Sequence, residues 1–128
     1  MEGSADDFCY WVLGRDTGVR FAGLANSKGK LLGGAYRKGL KPLLSKDEAE
    51  TSFLNSFTKI TAHADMEGKF GQVVYALAMY ENVKRTTIPI KESSKKISHI
   101  LMVSFDPQAA HEPIILNQIQ PKIKELFS

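Results

Sequence analysis

The sequence predicts an α+β domain: a five-stranded antiparallel sheet with one long helix on one face and two terminal helices on the other, in the order α-β-β-α-β-β-β-α. Three observations predict it. Ser45-Lys-Asp-Glu48 forms a capping box ahead of Ala49, Phe53, Phe57, Ile60 and Ala64, which recur at helical spacing. Two strand-like runs, 72–80 and 97–105, are apolar on both alternating faces, so each calls for cover on both sides. The strands come in groups joined by short turns, which implies antiparallel pairing.

The first helix starts at Ser4, whose hydroxyl can cap, with Asp6 and Asp7 at the positive helix end. Phe8, Trp11 and Val12 share a face, and Gly14 ends the helix. Residues 19–25 and 30–36 read as a hairpin around the turn Asn26-Ser-Lys-Gly29. Gly39 and Pro42 keep 37–44 irregular. The long helix then runs about 20 residues to a stop at Gly68. Glu81-Asn82 turns strand 72–80 into 83–90, where Pro89 marks a strand end or a free edge. After strand 97–105, Asp106-Pro107 breaks the chain. The last helix carries Ile115, Leu116, Ile119, Ile123 and Leu126 on one side. Pro121 inside that pattern demands either a kink or a start near Gln118.

Residues 1–128 are one domain by length, and a chain of this size buries roughly two-thirds of its unfolded surface without disulfides or metals. Cys9 is the single cysteine, which fits a reducing compartment. The N-terminus lacks a secretory pattern and no apolar run approaches a membrane span, so the expected location is the cytoplasm. Net charge is +3, short of a dedicated nucleic-acid binder. The cations are clustered. Lys28, Lys30, Arg37, Lys38, Lys41 and Lys46 occupy one stretch with no acid, and Lys84, Arg85, Lys91, Lys95 and Lys96 another with only Glu92. They read either as solvated loops and edges or as a surface for an acidic partner.

The segment Val19-Arg-Phe-Ala-Gly-Leu-Ala-Asn-Ser-Lys-Gly-Lys-Leu, and Gly39-Leu-Lys-Pro-Leu-Leu ahead of the long helix, resemble the roadblock/dynein-light-chain-like proteins of the profilin-like superfold. Small archaeal proteins of that kind are similar over residues 20–90. The resemblance implies a homodimer built through the long helix and the strand after it, serving as a platform for small GTPases, motors or signalling complexes. It implies no catalytic residues and no cofactor.

Tests for chemistry agree with that expectation. Gly23 to Lys30 looks like a phosphate loop, but five residues separate its glycines and Leu31 stands where Ser or Thr would hold magnesium. His63, His99 and His111 lack ligand spacing. Cys9 has no activating neighbours and reads as a small hydrophobe. Tyr36 and Tyr80 lie near cations, yet no RNA-recognition, KH or helix-turn-helix pattern accompanies them, so nucleic acid is not the expected partner.

The expected contact surface is the charge-poor back of the long helix (Thr51, Leu54, Thr58, Thr61 and Ala62), continued by Val74, Ala76 and Ala78 on the next strand. The basic loops (Arg37, Lys38, Lys41, Lys95 and Lys96) are the expected partner face. The alternative is a small-ligand sensor of PAS or profilin-like kind, with its pocket near Phe53, Phe57 and Tyr75.

Overall fold

In the computed structural model, which describes residues 4–92 and 96–127, the elements follow the expected order. They are α1 (Ala5–Leu13), β1 (Val19–Asn26), β2 (Leu31–Tyr36), α2 (Lys46–Ala64), a short α3 (Glu67–Phe70), β3 (Ala76–Met79), β4 (Lys84–Ile90) and β5 (His99–Phe105). The chain closes with α4 (His111–Ile114), a π-helical turn (Ile115–Ile119) and α5 (Gln120–Phe127). The strands form one antiparallel sheet in the order β2-β1-β5-β4-β3.

Local chemistry accounts for the boundaries. Ser4 Oγ accepts from the Asp7 amide and caps α1. At α2 the capping box is complete: Ser45 Oγ accepts from the Glu48 amide, and Glu48 Oε1 accepts from the Ser45 amide at 2.9 Å. Hydrogen bonding to the ionised carboxyl, from the Ser45 amide first and its hydroxyl second, holds Glu48 below the usual glutamate range. In the β1–β2 turn, Asn26 Oδ1 accepts from the amides of Lys28 and Lys30, and Gly29 takes φ +77°. Gly29 also lies against α2: a Cβ there would stand 2.9 Å from Leu54 Cα.

β5 is the central strand, and its alternation divides the core. Leu101, Val103 and Phe105 join Val12, Leu24, Ile88, Ile115 and Ile119 under the terminal helices. Ile100 and Met102 meet Phe53 and Ile60 under α2. On the terminal-helix side, buried Lys84 donates from Nζ to the Ala109 carbonyl and meets His111 Nδ1 at 2.8 Å. A lysine ammonium has only donors, so His111 Nδ1 accepts and the ring is neutral. Burial first, and then the Lys84 charge, lower the His111 pKa.

Three expectations need correction. The run 72–80 is a strand only over Ala76–Met79, and it is not covered on both sides: Val74, Leu77, Met79 and Tyr80 are exposed. Its apolar residues lie on an edge strand, where alternation alone says nothing about cover. Gly68 does not end the long helix. α2 stops at Ala64, and Gly68 lies inside α3, which gives way to Gly71 at φ +84°. The last helix does not begin near Gln118. It begins at His111 and widens through Ile115–Ile119 just ahead of the proline. A π turn there relieves the clash of the ring with the preceding turn while Ile115 and Ile119 stay buried.

Candidate functional site

α2 covers only part of its sheet face. On the flank facing β3 an open trough of about 660 Å³ separates the helix from the sheet. Ser52, Asn55, Ser56, Lys59 and His63 form its helix wall, and Ala76, Ala78, Thr87 and Met102 its floor. Register explains the floor. Ala76 pairs with Thr87 and Ala78 with Arg85, so these small residues face α2, while Leu77 and Met79 point to the other side. Arg85 Nη2 donates to Ser52 Oγ at 2.7 Å and bridges wall to floor. The acids Asp47 and Glu48 stand at one end of the trough wall, and Lys59 and His63 toward the other.

The expected contact residues are distributed over this region rather than gathered on one face. Thr51, Ala76 and Ala78 line the trough. Leu54 lies on the opposite flank of α2, against the β1–β2 turn, and helical spacing places Thr61 with it, while Thr58 and Ala62 follow Thr51 along the ridge between the two flanks. Thr58 Oγ1 donates to the Leu54 carbonyl and Thr61 Oγ1 to the Thr58 carbonyl. Their hydroxyl hydrogens are thus used within the helix, leaving an uncharged stripe toward solvent. Ala62 is exposed nearby. Val74 belongs elsewhere: it lines a groove with Leu116 and Gln120 under the C-terminal helix, where Gln120 Nε2 donates to the Val74 carbonyl.

The basic loops lie at opposite ends of the sheet. Arg37, Lys38 and Lys41 follow β2, beside the end of β5. Arg37 is committed there: its guanidinium reaches Asp106 Oδ2 at 2.8 Å and Oδ1 at 3.1 Å and also donates to the Thr17 carbonyl, while Arg20 holds Asp106 Oδ1 from another side. The Arg37 hydrogen bond, with help from Arg20, keeps the Asp106 carboxyl below the usual aspartate range. Lys96 lies in the β4–β5 connection, where Ile90 pairs with His99, and Lys95 is outside the described residues.

A second cavity, about 290 Å³, opens between the 37–44 loop and the sheet. It reaches Phe53, as a sensor pocket would, but Phe57 does not line it. Tyr75 stands on the far side of the sheet, edge-on to His111 with its hydroxyl toward Glu112. Sequence reasoning missed this cavity because its walls come from four segments distant in sequence. The available signal was the density of leucines at 40, 43 and 44 within an irregular loop.

Cys9 is fully buried, and burial pushes its thiol up to about 12, so it is a packed thiol rather than a nucleophile. Among the described residues no group of three or more His, Cys, Asp or Glu gathers in a way that would hold a metal ion. No described helix is long and apolar enough to cross a membrane.

No family model matches the sequence, and no curated protein matches it. Solved structures do match the fold. A structure described as MglB with tetrameric arrangement superposes with a TM-score of 0.69 at 15% identity, covering 94% of this chain and 82% of that one. Myxococcus xanthus MglB gives 0.69 at 12% identity, covering 96% and 91%. A Roadblock/LC7 domain from Streptomyces avermitilis gives 0.64 at 11%, covering 95% and 99%. The chain has the roadblock/LC7 fold, as its opening hairpin and helix order suggested.

Proposed function

We propose that this protein is a non-enzymatic, homodimeric scaffold or regulator of roadblock type. The observation that supports this best is an unfinished sheet edge. Among the described residues β3 has a strand on one side only, it is apolar yet exposed, and the trough beside it leaves part of the α2 face uncovered. Natural sheets ordinarily protect such an edge, and pairing with a second copy is one way to do so.

In the proposed dimer, β3 pairs with the partner's β3 across a two-fold axis, extending the sheet. The partner's α2 packs antiparallel along the trough wall, over the small residues Ala76 and Ala78. Antiparallel packing brings Asp47 and Glu48 of one copy toward the partner's basic Lys59 end, and the two helix dipoles oppose. Thr51, Ala76 and Ala78 belong to this seam. Thr58 and Ala62 continue the Thr51 ridge at the margin of the seam, while Leu54 and Thr61 lie outside it and are offered to a protein partner. That partner is of the kind the fold resemblance suggests, a small GTPase or a signalling complex. Val74 backs the seam from the C-terminal-helix side.

Sedimentation equilibrium tests the dimer. The wild type is expected as a dimer at micromolar concentration, and Ala78→Arg, which fills the trough floor with a charged side chain, as a monomer with unchanged circular dichroism. Leu54→Glu with Thr61→Glu, on the far flank of α2, is expected to leave the dimer intact. Monomeric wild type would overturn the reading. Dissociation by the Leu54 and Thr61 changes alone would move the seam to the other flank of α2.

A further inference from the structure

The 290 Å³ cavity has a composition of its own. Its apolar lining includes Phe21, Tyr36, Leu40, Leu44, Phe53 and Val83, and Phe21 packs against both Tyr36 and Phe53, with ring centroids 4.6 Å and 6.2 Å apart. Among the described residues, the charged ones that line it are Arg20, Lys41 and Arg85, with no carboxylate. Arg20 is tied to Asp106 and Arg85 to Ser52, which orients their guanidinium groups; Lys41 is exposed. At the mouth, Leu43 is 70% exposed and Tyr80 54%, so the apolar surface continues outside the cavity.

We infer that this cleft is an anchor site for an acidic protein segment, taking one bulky apolar side chain between the 37–44 loop and the sheet while flanking Asp or Glu residues meet Lys41 and Arg85. Charge complementarity selects the acidic flanks. Size selects a side chain: the cavity lies at the low end of the roughly 300–1,000 Å³ of pockets that enclose whole small molecules. An exposed apolar rim around such a pocket is the arrangement of an interface hot spot. The inference shares with the proposed function the premise that the chain binds protein, but it does not need the dimer. An acid-selective cleft on a monomeric protein would contradict the proposed seam and leave the cleft standing.

Selection of a random short-peptide library on the wild-type protein tests it. The enriched peptides are expected to carry Phe, Leu, Ile or Met flanked by Asp and Glu. Their affinity is expected to fall about tenfold in Leu43→Asp and in Lys41→Glu, changes at exposed positions, and to be unchanged in Met79→Ser. Amide shifts in the bound wild type, expected at Leu40, Leu44 and Ala49, give a readout independent of any variant. An empty selection, a neutral or basic consensus, shifts confined to other surfaces, or cleft shifts with decanoate but with no selected peptide would each overturn the inference.

Discussion

At the β2 edge of the sheet, α1 lies so close to the strand that a Cβ on Gly33 would come within 2.6 Å of the Ala5 carbonyl carbon, and Asp6 Oδ1 accepts from the Gly34 amide at 3.0 Å. At the β3 edge no described strand follows, and Leu77, Met79 and Tyr80 face solvent. The two faces differ in the same sense. The terminal-helix face is closed by a continuous apolar cluster from Phe8 to Phe127, whereas the α2 face has a small core and an open trough. Glycine and a carboxylate draw α1 onto the β2 strand, whereas the β3 edge stays bare, and it is this bare edge that the proposed dimer would use.

The comparison is broken most sharply by truncating one residue on each side. Phe105→Ala, in the closed core, is expected to lower stability by about 3–5 kcal/mol in urea unfolding. Met79→Ala, at the open edge, is expected to change monomer stability by about 0.5 kcal/mol or less. Comparable losses would mean that β3 is packed like the core.

Gly33→Ala probes the sealed edge. The added methyl meets the α1 backbone, which cannot rotate away, so a loss of about 1–3 kcal/mol is expected, with the oligomeric state unchanged. A change of oligomeric state would mean that the β2 edge is also an interface.

The smallest effect is a graded one with pH. The folded-state pKa of His111 is lowered by burial and by Lys84, so between the usual histidine value of 6.5 and the depressed one the unfolded chain binds the proton first. Stability is therefore full above that window and falls as pH drops through it. The lowered Asp106 pKa adds a second loss below the usual aspartate value of 3.8. Urea midpoints measured against pH are expected to show both limbs. His111→Gln should remove the upper one and Asp106→Asn the lower.

How much of this was legible in sequence follows from the range of the interactions. Ser45 and Glu48 lie three residues apart, and Asn26 and Lys30 four, so the α2 start and the hairpin turn could be read directly. The stripe of Phe53 and Ile60 likewise gave the buried face of α2. Arg37 and Asp106 lie 69 residues apart, and no local pattern separates a committed guanidinium from one free to meet a partner. The length of β3 was overread because period-2 apolarity is the same whether a face is covered within the chain or left for another molecule. The π turn before Pro121 was hidden because the proline forbids a regular helix without saying how the chain relaxes.

Hydrogen exchange of the β3 amides, compared between dilute and concentrated protein, shows whether a second copy completes this edge. If this edge is completed by a second copy, exchange over Ala76–Met79 slows as concentration rises, while the already paired β5 amides show little further change. Exchange in β3 that stays fast and independent of concentration would contradict the account.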